Sequence, residues 1–376
     1  MLAHLRFDVR QARGRRYPEA PHSYRNDFQR DRDRIVHARA FRRLEDKTQV
    51  FAPGLSDHFR NRLTHTIEVA QIARTVAGVL QLDVDLTEAL ALGHDIGHPP
   101  FGHSGEAELN RIMQAYGLGF DHNLQALRLV EWFEQRYVRF PGLNLTFEVR
   151  EGLAKHSRDF EPGEVPELDD YLPGLRPPLE AQLIDLCDEI AYNTSDLDDG
   201  YSAGLISLDS ISDAIPAFRK IREEIDARFP AASDHLKIHE MVRALLNWLV
   251  GGLIEGTVEA AKASGARDVE GVRQVPHRLV RYSAPMAEAS AALKAFLRAN
   301  VYQSQLVEQE RSSSIEMLTQ VFDGLMENPP DMLPEDYREL ITGIPLPRAV
   351  CDYVAGMTDG FLMKTWEQLR AEGRLE

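Results

Sequence analysis

Apolar side chains in this chain return at steps of three and four, and no convincing run alternates in twos. Between residues 63 and 80, Leu63, Ile67, Ala70, Ala73, Val76 and Leu80 keep this spacing, which predicts a helix with one buried face. Comparable periodicity predicts helices over 28–50, 86–96, 104–116, 122–139, 147–156 and 179–197, the last ending before Gly200. Asp85 with Glu88 three residues on resembles a capping box for the helix 86–96, and Gly97, Pro99 and Pro100 cannot continue it. Asp121 is placed to cap the helix that follows it. From Ser157 to Pro178 lie five of the twenty prolines, so this stretch is expected to be a long loop serving as a lid or an oligomer contact. The remainder, to about residue 326 and again over 347–373, reads as mostly helical around a Pro-rich break at 329–347. The expected class is all-α, divided into a basic helical segment 1–60, a core 61–200 and a helical C-terminal region 201–376.

A chain of 376 residues with 43% hydrophobic and 27% charged side chains is large enough to enclose a site. No stretch approaches the ~20 uninterrupted apolar residues of a membrane span, and MLAHLRFDVRQARGRR lacks the apolar core of a signal peptide, so the cytoplasm is the expected compartment. Cys187 and Cys351 are too few for a disulfide framework or a multi-thiolate zinc site. Any metal must therefore be held by imidazoles and carboxylates. The net charge of −16 is unevenly spread: residues 1–62 hold fifteen Lys and Arg against eight Asp and Glu. This basic island is either a solvated arm or a wall for anions.

Five of thirteen histidines fall between His65 and His122. His65 lies on the helix 63–80, the pair His94-Asp95 closes the helix 86–96, and LCDEIAY offers another carboxylate from a distant helix. Three helices can thus converge on one ion. Two imidazoles and two carboxylates without thiolate suit Mn, Fe, Co, Ni or Zn, or Mg helped by substrate phosphates. Two prolines after the pair force a sharp exit that folds His98, His103 and Glu106 back over the ion. His103 and Glu106, three apart at a helix start, are spaced for the carboxylate to orient the imidazole.

The order His65, His94-Asp95, Asp188 resembles the signature of HD-domain phosphohydrolases. Longer strings sharpen it: FRRLEDKTQVF at 41–51, NRLTHTIEVAQIAR at 61–74, LGHDIGHPPFGHSGE at 92–106, FDHNLQALRLVE at 120–131, GLNLTFEVREGLAKHS at 142–157, LIDLCDEIAYNTSDLDDG at 183–200 and RAVCDYVAGMTDG at 348–360. Together they are similar to bacterial deoxyguanosine triphosphate triphosphohydrolase-like proteins, the dNTPase branch of the HD superfamily. The resemblance implies hydrolysis of a dNTP to deoxynucleoside and inorganic triphosphate, with a divalent metal, Mn or Mg foremost, on His65, His94, Asp95 and Asp188, Asp188 being preferred to Glu189. It implies a catalytic dyad of His103 and Glu106, with His98 and His122 around the phosphates. It places Gln49 and Asp196 near the 3′-hydroxyl, Tyr192 under the sugar and Arg62 on the phosphates. Lys155 and His156 are further candidates for the pocket. Family members commonly form homo-oligomers, often hexamers.

With this site, Arg42, Arg43, Lys47, Arg60 and Arg62 are expected to turn part of the basic island toward the triphosphate. NVYQSQLVEQER at 300–311 departs from the Tyr-Arg-His string of many members, which is expected to alter regulatory or inter-subunit contacts and not the chemistry. Two competing readings use the same residues: an HD phosphodiesterase or nucleotidase acting on another phosphate ester, and a single-stranded nucleic-acid binder with nucleotides as allosteric ligands.

Overall fold

The computed structural model describes residues 1–50, 59–327 and 333–375. Helices account for the regular structure, and pairing between extended segments is confined, among the described residues, to isolated bridges such as Arg15 with Thr146 and Thr48 with Asn61. In chain order the helices are α1 Asp27–Val36, α2 Arg39–Arg43, α3 Arg62–Leu80, α4 Val84–Gly93, α5 Gly102–Gln114, α6 His122–Arg128, α7 Phe147–Ala154, α8 Leu179–Ser202, α9 Leu208–Ala214, α10 Pro216–Arg228, α11 Asp234–Ser264, α12 Val269–Arg273, α13 Ala284–Leu297, α14 Gln305–Glu327, α15 Glu335–Leu340, α16 Leu346–Ala355 and α17 Asp359–Ala371.

The all-α expectation holds, while several boundaries move for local reasons. The stretch 28–50 is broken after Val36 and becomes α1, α2 and a 3-10 turn at Leu44–Asp46. Asp83, not Asp85, caps α4 by accepting from the Leu86 amide at 3.0 Å. Asp85 instead accepts from the side chains of Asn26 and Gln29 on the α1 cap. Asp121 does cap α6, accepting from the amides of Asn123 and Leu124. That helix continues only through a π turn at Leu129–Phe133, because Glu134 onward is extended. Helix α8 runs through Gly200 to Ser202, longer than its apolar spacing implies. On α3, Ala70, Ala73, Val76 and Leu80 are buried as expected, but Ile67 faces out. In the Pro-rich break, residues 328–332 lie outside the described residues, and α15 forms beyond them.

Helices α3, α4 and α8 pack on one another, with α1 against α4 and α11 against α8. One apolar cluster takes in Leu2 and Phe28 near the N-terminus, Val76 and Leu90 in the centre, and Leu253 and Val301 beyond residue 200. A second cluster joins α5 to α14, α16 and α17 through Leu109, Met113, Phe322, Val354 and Leu362. Helix α11 is long and apolar enough to cross a membrane by length and composition alone. Its residues Ile238, Met241, Leu245, Leu249 and Leu253 are buried within the protein. The loop 157–178 is packed down: Phe160, Leu168 and Tyr171 form a small core with Leu127 and Ala154.

Most of the basic island is neither a solvated arm nor an anion wall. Arg15 meets Asp27 and Asp31, Arg34 and Arg30 meet Glu19, and Arg32 meets Glu88 and Asp33. The positive surplus is thus largely spent on carboxylates inside the fold, where burying a charge demands a partner.

Candidate metal centre and active-site pocket

The turn after α4 sets the site. Helix α4 stops at Gly93, so His94 and Asp95 stand just beyond its end, not within it. The His94 Nδ1 lies 2.6 Å from the Ala91 carbonyl, which fixes a proton there and leaves the Nε2 lone pair for another partner. That Nε2 is buried without a hydrogen-bond partner, 3.6 Å from Asp95 Oδ1 and 3.8 Å from Asp188 Oδ1. From α3, His65 Nε2 lies 2.8 Å from Asp188 Oδ1 on α8 and 3.9 Å from Asp95 Oδ2. His65, His94 and Asp95 offer ligand atoms within 4.8 Å of one another, as do His94, Asp188 and His156. An orphaned imidazole nitrogen facing two carboxylates fits a divalent cation, and this donor set suits the borderline and hard ions anticipated from sequence. The surrounding charges agree: both carboxylates are buried, yet Arg62, His94 and His98 hold Asp95 well below the ordinary range, and the hydrogen bond from His65 together with the charge of His94 holds Asp188 low.

A pocket of about 660 Å³ opens above these residues. Gln49, Arg62, His65, Asp95, His98, His103, His122, Asp188, Tyr192 and Asp196 line it, while His94 and Glu106 stand behind the lining. Arg62 is 1% exposed; its Nη1 donates to Asp95 Oδ2 at 2.8 Å, leaving Nε and Nη2 buried without partners. This guanidinium is therefore oriented and still has donors to give.

The acid-base residues are arranged differently from the sequence expectation. Glu106 hydrogen-bonds His122 Nδ1 at 2.8 Å and the His122 amide at 3.0 Å, and not His103. The other carboxylate oxygen lies 3.8 Å from His98 Nδ1. His103 keeps a ligand atom within 4.8 Å of those of both His98 and Glu106. The cause is the fold-back of α6: its first turn brings His122 onto Glu106, and His98 stacks on His122 at 4.1 Å. Burial and Arg62 push His103 below its ordinary value, although its ring is exposed at the pocket edge; burial opposes charge on His122 too, but Glu106 overcomes this and raises it. Neighbouring imidazoles with opposite preferences are a recurring acid-base arrangement.

Asp196 is buried, and burial raises it to about 7 although Tyr302 donates a hydrogen bond to it. Tyr302 lines the pocket at the end of a π turn, Arg298–Tyr302, with Glu310 and Arg311 beyond it on α14. The sequence reading overlooked these three residues. Their signal was the departure at 300–311, which bears on the pocket itself. His156 lines the pocket as anticipated, whereas Lys155 does not: its Nζ donates to Glu151 and to the carbonyls of Leu172 and Leu175. Among the described basic residues expected to meet the triphosphate, only Arg62 reaches the pocket. Lys47 donates to the His98 and Ala355 carbonyls, Arg43 to the Gly356 carbonyl, and Arg60 is held by Glu68, Asp198 and Asp199, while the Arg42 side chain is exposed away from the lining.

The HD-domain family model matches residues 62–193, and that of a phosphohydrolase-associated domain matches 280–368. A deoxyguanosinetriphosphate triphosphohydrolase-like protein of Geobacter sulfurreducens is 43% identical over 95% of this chain and 92% of its own length. Its counterpart from Azoarcus sp. is 46% identical over 97% and 95%. The chain belongs to the deoxyguanosinetriphosphate triphosphohydrolase-like family. It is a phosphohydrolase built on the HD fold, with a His and Asp cluster able to hold a metal ion beside the pocket.

Proposed function

We propose that the protein is a metal-dependent dNTP triphosphohydrolase that converts a dNTP and water to deoxynucleoside and inorganic triphosphate. The observation that carries this reading is the orphaned His94 Nε2, facing Asp95 and Asp188 beside His65, at the floor of a pocket that also holds Arg62, Tyr192 and Asp196. Mn or Mg is the proposed ion on His65, His94, Asp95 and Asp188, with Co, Ni, Fe and Zn compatible with the same donors. Bound there, such an ion would supply Lewis acidity and positive charge to a substrate phosphate.

The chain's own residues do the rest. The unpaired Nε and Nη2 of Arg62 bind phosphate oxygens. His122, whose protonated form Glu106 favours, pairs with the phosphates or donates toward the departing 5′ oxygen, and His103, whose neutral form its surroundings favour, accepts a proton at the pocket edge, with His98 stacked on His122. Glu106 thus acts on His122 by a direct bond and on His103 by charge. Tyr192 supports the deoxyribose, Asp196 accepts from the 3′-hydroxyl, and Gln49, whose Oε1 is buried and unpartnered, lies near the same hydroxyl.

We place the protein in the cytoplasm as a homo-oligomer, with 1–60, 61–200 and 201–376 as a basic segment, catalytic core and C-terminal region. Single-stranded nucleic-acid binding has less support, since the N-terminal arginines that would drive it are engaged in ion pairs. The test is incubation with each dNTP, singly and mixed, with Mg or Mn, and separation of products by ion exchange. Deoxynucleoside with intact triphosphate, lost in Asp188→Ala and reduced ~10²–10⁴-fold in turnover in His103→Ala, is the expected result. Turnover of monophosphates or cyclic nucleotides alone refutes it in favour of a phosphodiesterase or nucleotidase.

A further inference from the structure

One buried carboxylate of the C-terminal region bonds to the backbone beside the pocket walls. Asp359, the first residue of α17, is 2% exposed. Its Oδ1 accepts from the Phe101 amide at 3.0 Å, and its Oδ2 accepts from the Thr48 amide at 2.7 Å and from the Thr48 hydroxyl. Lys47 braces the same junction from the other side, its Nζ donating to the carbonyls of His98 and Ala355. Three segments remote in sequence, 47–48, 98–101 and 355–359, are thereby joined by one cation and one anion in a buried setting. Charge-assisted bonds there are stronger than neutral ones and impose geometry.

What these bonds hold is the backbone that aims the pocket's side chains. Phe101 has φ 61° and Gly102 φ 58°, so two successive residues adopt the left-handed conformation immediately before His103. For phenylalanine that conformation costs ~1–2 kcal/mol and persists only where surrounding bonds enforce it. A Cβ on Gly102 would come within 2.7 Å of Arg62 Nη2, so the same turn also fits closely against the phosphate-facing guanidinium. On the other wall, Thr48 immediately precedes Gln49. We propose that Asp359 is a positioning residue of the active site, fixing the Phe101–Gly102 turn and the Thr48–Gln49 wall so that His103 and Gln49 face the substrate. The inference rests on the reading of this pocket as the site of phosphate-ester hydrolysis.

The test is Asp359→Asn in the full chain, a change that keeps volume and leaves one oxygen to accept while the amide nitrogen faces a donor. Turnover of dNTP is expected to fall ~10–100-fold, as for a misplaced catalytic group. In a Gln49→Ala, His103→Ala background the same change is expected to cost under ~3-fold, because a residue acting through those two side chains has little left to lose. Thr48→Val, which removes only the hydroxyl arm, is expected to give a smaller loss that largely vanishes in a Gln49→Ala background. Amide hydrogen exchange supplies a readout independent of activity: Asp359→Asn is expected to speed exchange in peptides spanning 47–50 and 98–104 more than elsewhere, the chain remaining folded although its unfolding midpoint falls. Additive losses, or unchanged exchange in both peptides, overturn the proposal. Should the wild type turn over no dNTP, the functional reading fails, and the exchange result still decides the role of Asp359 in holding the turn.

Discussion

Glu180, near the start of α8, is fully buried and accepts at one oxygen from the Phe7 and Asp83 amides, both at 2.9 Å, while its second oxygen has no partner. Burial raises it from 4.5 to about 7, against the two amide bonds. A folded-state value above the unfolded one means that the folded protein takes up the proton more readily. The associated stability is complete below pH 4.5 and is lost as pH rises through 7. At 1.36 kcal/mol per unit, it amounts to about 3 kcal/mol. Glu180→Gln keeps an oxygen for both amides and never ionises. Urea unfolding of both proteins at half-unit steps from pH 5 to 8 is the assay. The stability of the wild type relative to the variant is expected to fall by about 2.5 kcal/mol across that range, leaving the variant the more stable at pH 8. A flat difference refutes the argument, since it requires Glu180 to be ionised in the folded state throughout or hydrated despite its burial.

Gly97 lies where α6 crosses the turn after His94-Asp95, and a Cβ there would stand 2.0 Å from the His122 carbonyl oxygen and 2.5 Å from the Ala126 nitrogen. Both are backbone atoms, so Gly97→Ala is expected to cost about 3 kcal/mol or more and to lower the unfolding midpoint accordingly; an unchanged midpoint would show that the helix and turn can separate freely. Tyr302→Phe deletes the hydrogen bond to Asp196 and leaves a buried carboxyl unsatisfied, and the KM for dNTP is expected to rise about tenfold with kcat nearly intact. Equal losses in kcat and kcat/KM would instead place Tyr302 in the transition state.

The helical class was legible because a buried helix face writes its period into the sequence, as along Ala70, Ala73, Val76 and Leu80. A candidate ligand set was legible because few residue types can hold a hard cation without thiolates, and the family was legible because HPPFGHSGE and its companion strings are long enough to fix it. Helix ends were less so: Asp83 and Asp85 have the same local credentials for capping, and the side chains of Asn26 and Gln29, brought over by α1, decide between them.

Pairings between remote segments were invisible for the same reason. Whether Glu106 meets His103 or His122 depends on where α6 folds back, and neither outcome changes a local pattern. The N-terminal arginines look like an anion wall until Glu19, Asp27 and Asp31 are seen beside them. Tyr302 reaches Asp196 across 106 residues, and Asp359 reaches Thr48 across 311. The sequence by itself determined the helical class, the candidate ligand types and the family, because each is written in short-range spacing and composition. Only the tertiary structure decided which charge neutralises which and which backbone turn is held, because buried charges choose partners by proximity in space, which chain order does not encode.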